Sequence, residues 1–223
     1  QSLAEGKVEM SDIDKAVRRI LESKYTLGLF DNPYKYCDAK RRATDVFTAE
    51  NRKAARDLAA ETFVLLKNDG NILPLKKQGK IALIGPLADT KSNMSGTWVV
   101  AAVHERYNTL RESMTEALKG TGATLLYAQG CNICADEKIQ TAAEFGKTIP
   151  RVDYQQAKQE AMEIAQQADV IVCAMGETAD MSGESSSRST LELMDEQMQL
   201  LKELATLGKP IVLLNFSGRP TVM

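Results

Sequence analysis

The chain has 223 residues, 43% hydrophobic and 26% charged, with 28 Lys and Arg against 30 Asp and Glu and a formal net charge of −2. That balance speaks against nucleic acid as a main partner, which would show as a basic face or a strongly basic total. No stretch approaches the roughly 20 apolar residues of a membrane-spanning helix, and apolar clusters recurring along the whole length exclude disorder.

The sequence opens at Gln1 without an initiator methionine, a charged n-region or an apolar h-region. It stops at Met223, directly after the apolar run 210–220, and a buried strand usually continues into an element that covers it. The ends read as those of a segment cut from something longer. Residues 11–27 are a predicted helix: Ser11 stands at the cap, with Asp14 three residues on, close to a capping box. Ile13, Val17, Ile20, Leu21 and Leu27 trace one face, and Gly28 closes it. Phe30 to Thr44 carry Asp31-Asn32-Pro33 and a cluster of Lys and Arg with no period, which reads as a linker. A boundary is therefore expected near residue 45.

Helices and strands alternate from there. Thr48 starts a helix through Ala54, Ala55, Leu58 and Ala59, running into a predicted strand, Phe63-Val64-Leu65-Leu66. That strand closes at the turn signal Asn68-Asp69-Gly70. Ile81–Gly85 is a second apolar strand, followed by a helix around Asn108–Leu118 and the strand Thr124–Tyr127. Asp153 caps the next helix, with Gln156 at the third position and Ala157, Ala161, Ile164, Ala165 and Ala168 along one face. The strand Val170–Ala174 comes next, then a helix over Leu191–Leu207 ending at Gly208, and the strand Ile211–Leu214. Short unbroken apolar strands alternating with amphipathic helices predict an α/β fold, a mostly parallel sheet with helices on both faces in Rossmann-like layering. Its ligand edge lies at the carboxyl ends of the strands.

Cys37, Cys131, Cys134 and Cys173 are too few and too scattered for a disulfide-stapled domain. Cys131 and Cys134 form a C-x-x-C that fits a redox pair, half a zinc site or two incidental thiols. Zinc lacks partners, since His104 is the one imidazole. A thioredoxin-like pair would open a helix, whereas this one follows a strand and precedes a polar loop. Cys173, inside an apolar run, reads as a small buried hydrophobe.

Three loops leave strand carboxyl ends with distinctive sequences: Gly85 to Asp89 running on to Gly96-Thr97-Trp98, Gly130-Cys131-Asn132, and Gly176 to Arg188. None carries the G-x-G-x-x-G turn or the Walker lysine that would cradle a nucleotide phosphate. The third loop holds Glu177, Asp180, Glu184, Arg188 and four serines. A carboxylic acid that protonates a leaving group needs a raised pKa, which burial or a neighbouring carboxylate supplies; a merely solvated surface glutamate does not qualify. Trp98 follows a glycine in a loop, where it is either a half-buried core aromatic or a stacking platform for the apolar face of a sugar. Asp89 is either a turn-stabilising side chain or a polar contact for a ligand, and His104 reads as a loop residue.

The run from Asp14 to Tyr34 resembles the last helix and exit loop of the catalytic barrel in family 3 glycoside hydrolases. Glu61 to Gly70, with Leu73-Pro74-Leu75, is similar to that family's entry into its second, α/β sandwich domain. Gly85 to Asp89 with Gly96-Thr97-Trp98, and Gly176 to Arg188, resemble the branch containing bacterial periplasmic β-glucosidases. The resemblance implies a retaining exo-acting hydrolase releasing terminal β-D-glucose from a β-glucoside or oligosaccharide, without metal or cofactor. It gives Glu184 the acid/base role, with Glu177 the alternative, and places Trp98 on the aglycone side of the pocket. It gives Arg188 either the orienting or electrostatic tuning of the carboxylate loop or a purely structural ion pair. Trp98, Arg188 and Asp89 are the expected substrate-binding residues. The aspartate nucleophile would belong to a barrel domain preceding Gln1, so the chain alone is expected to be inactive. Residues 1–45 would be barrel exit and linker, and 46–223 the sandwich domain. A periplasmic or extracellular location, also implied by the resemblance, would permit a Cys131–Cys134 disulfide. The rival expectation is a stand-alone α/β module that binds a sugar or a nucleotide.

Overall fold

The computed structural model of the chain describes residues 1–99, 101–144 and 149–222. It divides into two compact units, Gln1–Lys67 and Asn68–Met223. In the first, helix α1 spans Met10–Thr26, α2 Arg41–Thr44 and α3 Ala49–Glu61. Helix α1 begins one residue before the expected cap: Glu9 holds the N-cap position without a side-chain hydrogen bond, and Ser11 lies inside the first turn. Its other end is closed by a glycine at φ +71°, where Gly28 N–H donates to the Tyr25 carbonyl and Leu29 N–H to that of Lys24. Those paired bonds form a Schellman cap. The α1 stripe of Ile13, Val17, Ile20 and Leu21 is exposed. Helix α3 starts at Thr48, whose hydroxyl accepts from Asn51 N–H.

The expected strand at Phe63–Leu66 is absent. The four residues lie outside any helix or strand, and their side chains are exposed. Apolar composition gives a strand only where a neighbouring edge supplies the ladder hydrogen bonds, and no described strand pairs with this run.

The second unit carries the sheet. Strands β1 (Gln78–Ile84), β2 (Gly122–Ala128), β3 (Val170–Gly176) and β4 (Ile211–Phe216) pair in the order β2-β1-β3-β4. Every pairing is parallel, with Ile81 opposite both Leu125 and Val170 and Gly176 opposite Phe216. The alternation of strand side chains sorts the core into two layers. Ala82, Ile84, Ile171, Cys173 and Met175 pack with Ala161, Ala165, Leu200 and Leu204 on one face. Ile81, Leu83, Val172 and Ala174 pack with Leu87, Ile133 and Met181 on the other. Both faces are apolar, which is why the strands read as unbroken runs.

The helices are α4 (Leu110–Leu118), α5 (Glu137–Glu144), α6 (Tyr154–Gln167) and α7 (Asp195–Ala205). Helix α4 opens on a full capping box between Thr109 and Glu112, and the Asp153 side chain caps α6 at Gln156 N–H. Helix α5 falls where the sequence suggested only a polar loop. Helix α7 starts four residues later than expected, because Glu192 bridges in parallel to Val222 and draws 191–194 out as extended chain. Among the described residues no helix is long and apolar enough to cross a membrane.

The strand order has a functional consequence. From β1 the chain moves outward to β2, then returns to the opposite side of β1 for β3 and β4. The direction reverses between β1 and β3, and ligands of open parallel sheets bind outside the carboxyl ends at such a switch point. The loops leaving β1 and β3 are the first and third distinctive loops of the sequence.

Candidate active site

Gly176 ends β3 at φ +129°, and a Cβ there would stand 1.9 Å from the Phe216 carbonyl oxygen. Only glycine lets β3 and β4 approach this closely before the third loop departs. The next residue, Glu177, donates its N–H to that same carbonyl at 2.7 Å. Its carboxylate is almost completely enclosed, with 1% side-chain exposure. Glu177 Oε1 meets the Arg188 guanidinium at 2.9 Å, and Oε2 meets Arg219 Nε at 3.2 Å and accepts from the Ser217 hydroxyl at 2.9 Å. Both oxygens are therefore engaged by charged or hydroxyl donors, as burial of a carboxylate requires.

Glu184 has the opposite environment. It is exposed, at the outer part of the loop, between Gly183 at φ +104° and Ser185 at φ +59°. The loop folds beneath it through Ser186, whose hydroxyl donates to the Asp180 carbonyl at 2.8 Å and whose N–H donates to that of Gly183 at 3.3 Å.

The first and third loops meet. Asn93 Oδ1 accepts from Ala179 N–H at 2.7 Å. The position a Cβ would take on Gly183 is 3.0 Å from Thr97 Cγ2 and 3.4 Å from Trp98 Cζ2. The Trp98 ring thus lies against the residue preceding Glu184, while remaining 71% exposed. Asp89, on the same β1 exit, has both oxygens occupied: Oδ1 accepts from the Thr109 hydroxyl at 2.8 Å and Oδ2 pairs with Arg111 at 3.0 Å. Arg111 also stacks 4.2 Å over the Tyr127 ring.

The second loop is internal. Asn132 N–H and Nδ2 both donate to Glu196 Oε2, at 2.9 and 3.0 Å. Gln197, fully buried on α7, accepts from Gly176 N–H at 2.7 Å and donates to the carbonyls of Gly176 and Ile133. These side chains lock the second loop to the end of β3 and commit the Asn132 side chain to internal bonds.

The four cysteines are free thiols, with Cys37 exposed and the other three buried. Burial pushes the Cys173 thiol up to about 12 and raises Cys131 and Cys134 as well, opposite to the lowered value of a reactive redox thiol. Among the described residues no group of His, Cys, Asp or Glu is arranged to hold a metal ion. In the native chain, a thiol reagent should modify Cys37 and spare the other three until denaturant is added. Thiols held above their ordinary value of 9.0 stabilise the fold fully below that pH. Unfolding midpoints should therefore fall as pH rises from 9 towards 12, and rapid native labelling of Cys131 or Cys134 would contradict the buried placement.

Glu177, Glu184, Trp98 and Arg188 are thus brought to one edge by the two loops at the switch point. Sequence reasoning missed Arg219, Ser217 and Gln197. The first two follow the carboxyl end of β4, and the rule that directed attention to strand exits applied there too. Gln197 sits mid-helix and carried no signal.

A family profile described as Glycosyl hydrolase family 3 C-terminal domain matches residues 63–223. The chain is 38% identical over 224 residues to the periplasmic beta-glucosidase of Salmonella typhimurium, covering 98% of this chain and 29% of that protein. It is 32% identical to a beta-xylosidase of Formosa agariphila, covering 95% of this chain and 27% of the relative. The crystal structure of a Listeria innocua beta-glucosidase in complex with isofagomine superposes with a TM-score of 0.79 at 32% identity, covering 99% of this chain and 28% of that one. The chain therefore spans under a third of the length of these relatives. On the match over 63–223 and these identities, it belongs to the glycosyl hydrolase family 3 C-terminal domain family.

Proposed function

We propose that this chain is the part of a retaining, exo-acting β-glucosidase that supplies the acid/base and the aglycone side of the pocket. The observation that carries the reading is that Glu184 stands beside Trp98 at the switch point of the sheet. Both are exposed in this chain, and in this assignment the barrel covers them and supplies the enclosure that a proton donor needs. The exposed apolar stripe of α1 supports a neighbouring domain, because a helix normally buries such a face. In this assignment 1–45 is barrel exit and linker, 46–223 is sandwich domain, and the nucleophilic aspartate belongs to the barrel.

In the first step Glu184, protonated, gives its proton to the glycosidic oxygen as the bond to the anomeric carbon breaks and the barrel aspartate forms an ester there. In the second, Glu184, now a carboxylate, takes a proton from water as the water oxygen displaces the aspartate. The aglycone departs across Trp98, whose exposed ring offers an apolar plane to a sugar face. Asp89 shapes the β1 exit through Thr109 and Arg111. A β-glucoside substrate, needing no cofactor, and a periplasmic or extracellular location follow from the same reading.

The test is division of labour. The purified chain should not turn over an aryl β-glucoside, whereas the full-length protein with its barrel should. Turnover by this chain alone at the full-length rate would overturn the assignment, because one carboxylate of the pair cannot complete the double displacement.

A further inference from the structure

We infer that Glu177, Arg188 and Arg219 form a buried positioning hub that sets where Glu184 stands, an inference that rests on the acid/base reading of Glu184. Glu184 itself makes no hydrogen bond or ion pair with the described residues, so its location is decided by the loop that carries it. That loop is tied at three places to a single carboxylate and its partners. Its first residue is Glu177. Its last, Arg188, returns to Glu177 Oε1 at 2.9 Å and donates its other terminal nitrogen to the Glu192 carbonyl at 2.7 Å. Arg219, arriving from β4, bridges Glu177 Oε2 and the Met181 carbonyl inside the loop.

The segment left between these anchors is 182–187, with Glu184 on it. It is short, and Gly183 and Ser185 already occupy left-handed backbone. A serine there persists only where its surroundings hold it. Ser186 within the loop, and Asn93, Thr97 and Trp98 against it, add contacts, but the hub is its charged and buried restraint. Its three groups are 1%, 11% and 19% exposed along their side chains, where charge pairing is least weakened by water. Glu177 is consequently a positioning residue, with both oxygens committed, and not a second proton donor.

The experiment uses the full-length protein and kcat/KM, which reports the first chemical step, on two substrates. Methyl β-glucoside has a poor leaving group and needs protonation; 2,4-dinitrophenyl β-glucoside has a good one and does not. Glu177→Gln and Arg219→Ala should each lower kcat/KM for the methyl glucoside by about 10²-fold, the penalty of a displacement near 1 Å. They should change the dinitrophenyl value by only a few-fold and leave inhibition by glucose unchanged. Arg219→Lys, which keeps the charge but not the fork, should fall between wild type and Arg219→Ala. Ser217→Ala, losing a single donor, gives a milder loss of the same selectivity and serves if the charge variants do not fold. Glu184→Gln is run in parallel. If it lacks the leaving-group selectivity, the acid/base reading fails. If it shows that selectivity while the hub variants lose activity equally on both substrates, or not at all, the positioning role is overturned and the acid/base reading stands.

Discussion

Glu184→Gln in the full-length protein is expected to reduce kcat/KM for an alkyl β-glucoside by about 10²–10⁴-fold, the usual worth of a general acid. The amide occupies the same volume and can still hydrogen bond, so loss of a transferable proton is the main change. A dinitrophenolate departs without a proton, and the first step on that substrate should be largely preserved. The second step still requires a base to deprotonate water. The glycosyl ester should therefore accumulate, and kcat on the activated substrate should fall. Azide attacks without deprotonation, so adding it should restore turnover and yield the β-glucosyl azide. Wild-type activity in Glu184→Gln would remove Glu184 from the mechanism. Glu177, enclosed by Arg188, Arg219 and Ser217, would then have to be reconsidered as the acid.

Gly176→Ala should be among the most damaging single methyls in the second unit. Backbone at φ +129° is essentially restricted to glycine, and forcing another residue there costs about 1–3 kcal/mol. The added carbon would also lie 1.9 Å from the Phe216 carbonyl oxygen, inside any permissible contact. The β3–β4 ladder must open where Glu177 donates to that carbonyl and where Gln197 grips both backbone groups of Gly176. An overall loss of about 3 kcal/mol or more is expected, at the upper end of that range, read as a lower urea midpoint. Gly120→Ala is the natural comparison. Gly120 also has positive φ, +70°, but nothing lies within 4 Å of its added carbon, so about 1–2 kcal/mol is expected from backbone strain alone. Equal midpoints for the two variants would show that the strands separate at no expense.

Much of the fold was legible because its signals are local. The four sheet strands are apolar runs buried on both faces. Thr48 and Asp153 marked helix starts by their own side chains, and Gly28 marked a helix end. Errors came where a local pattern depends on a distant partner. Phe63–Leu66 has strand composition but no ladder. Residues 191–194 have helical spacing but are drawn out by the bridge from Glu192 to Val222.

The sequence by itself determined the α/β class and pointed to the loops that hold the candidate chemistry, because composition and period are properties of neighbouring residues, and the family was legible as a resemblance of whole motifs. Only the tertiary structure decided what surrounds each glutamate. Glu177 and Glu184 are seven positions apart in one loop and were alternatives for one role. Folding enclosed the first between arginines, Arg219 arriving from 42 residues away, and left the second exposed beside Trp98. Burial and ion pairing are set by contacts through space, and the order β2-β1-β3-β4 that brings these loops together leaves no trace in any local period.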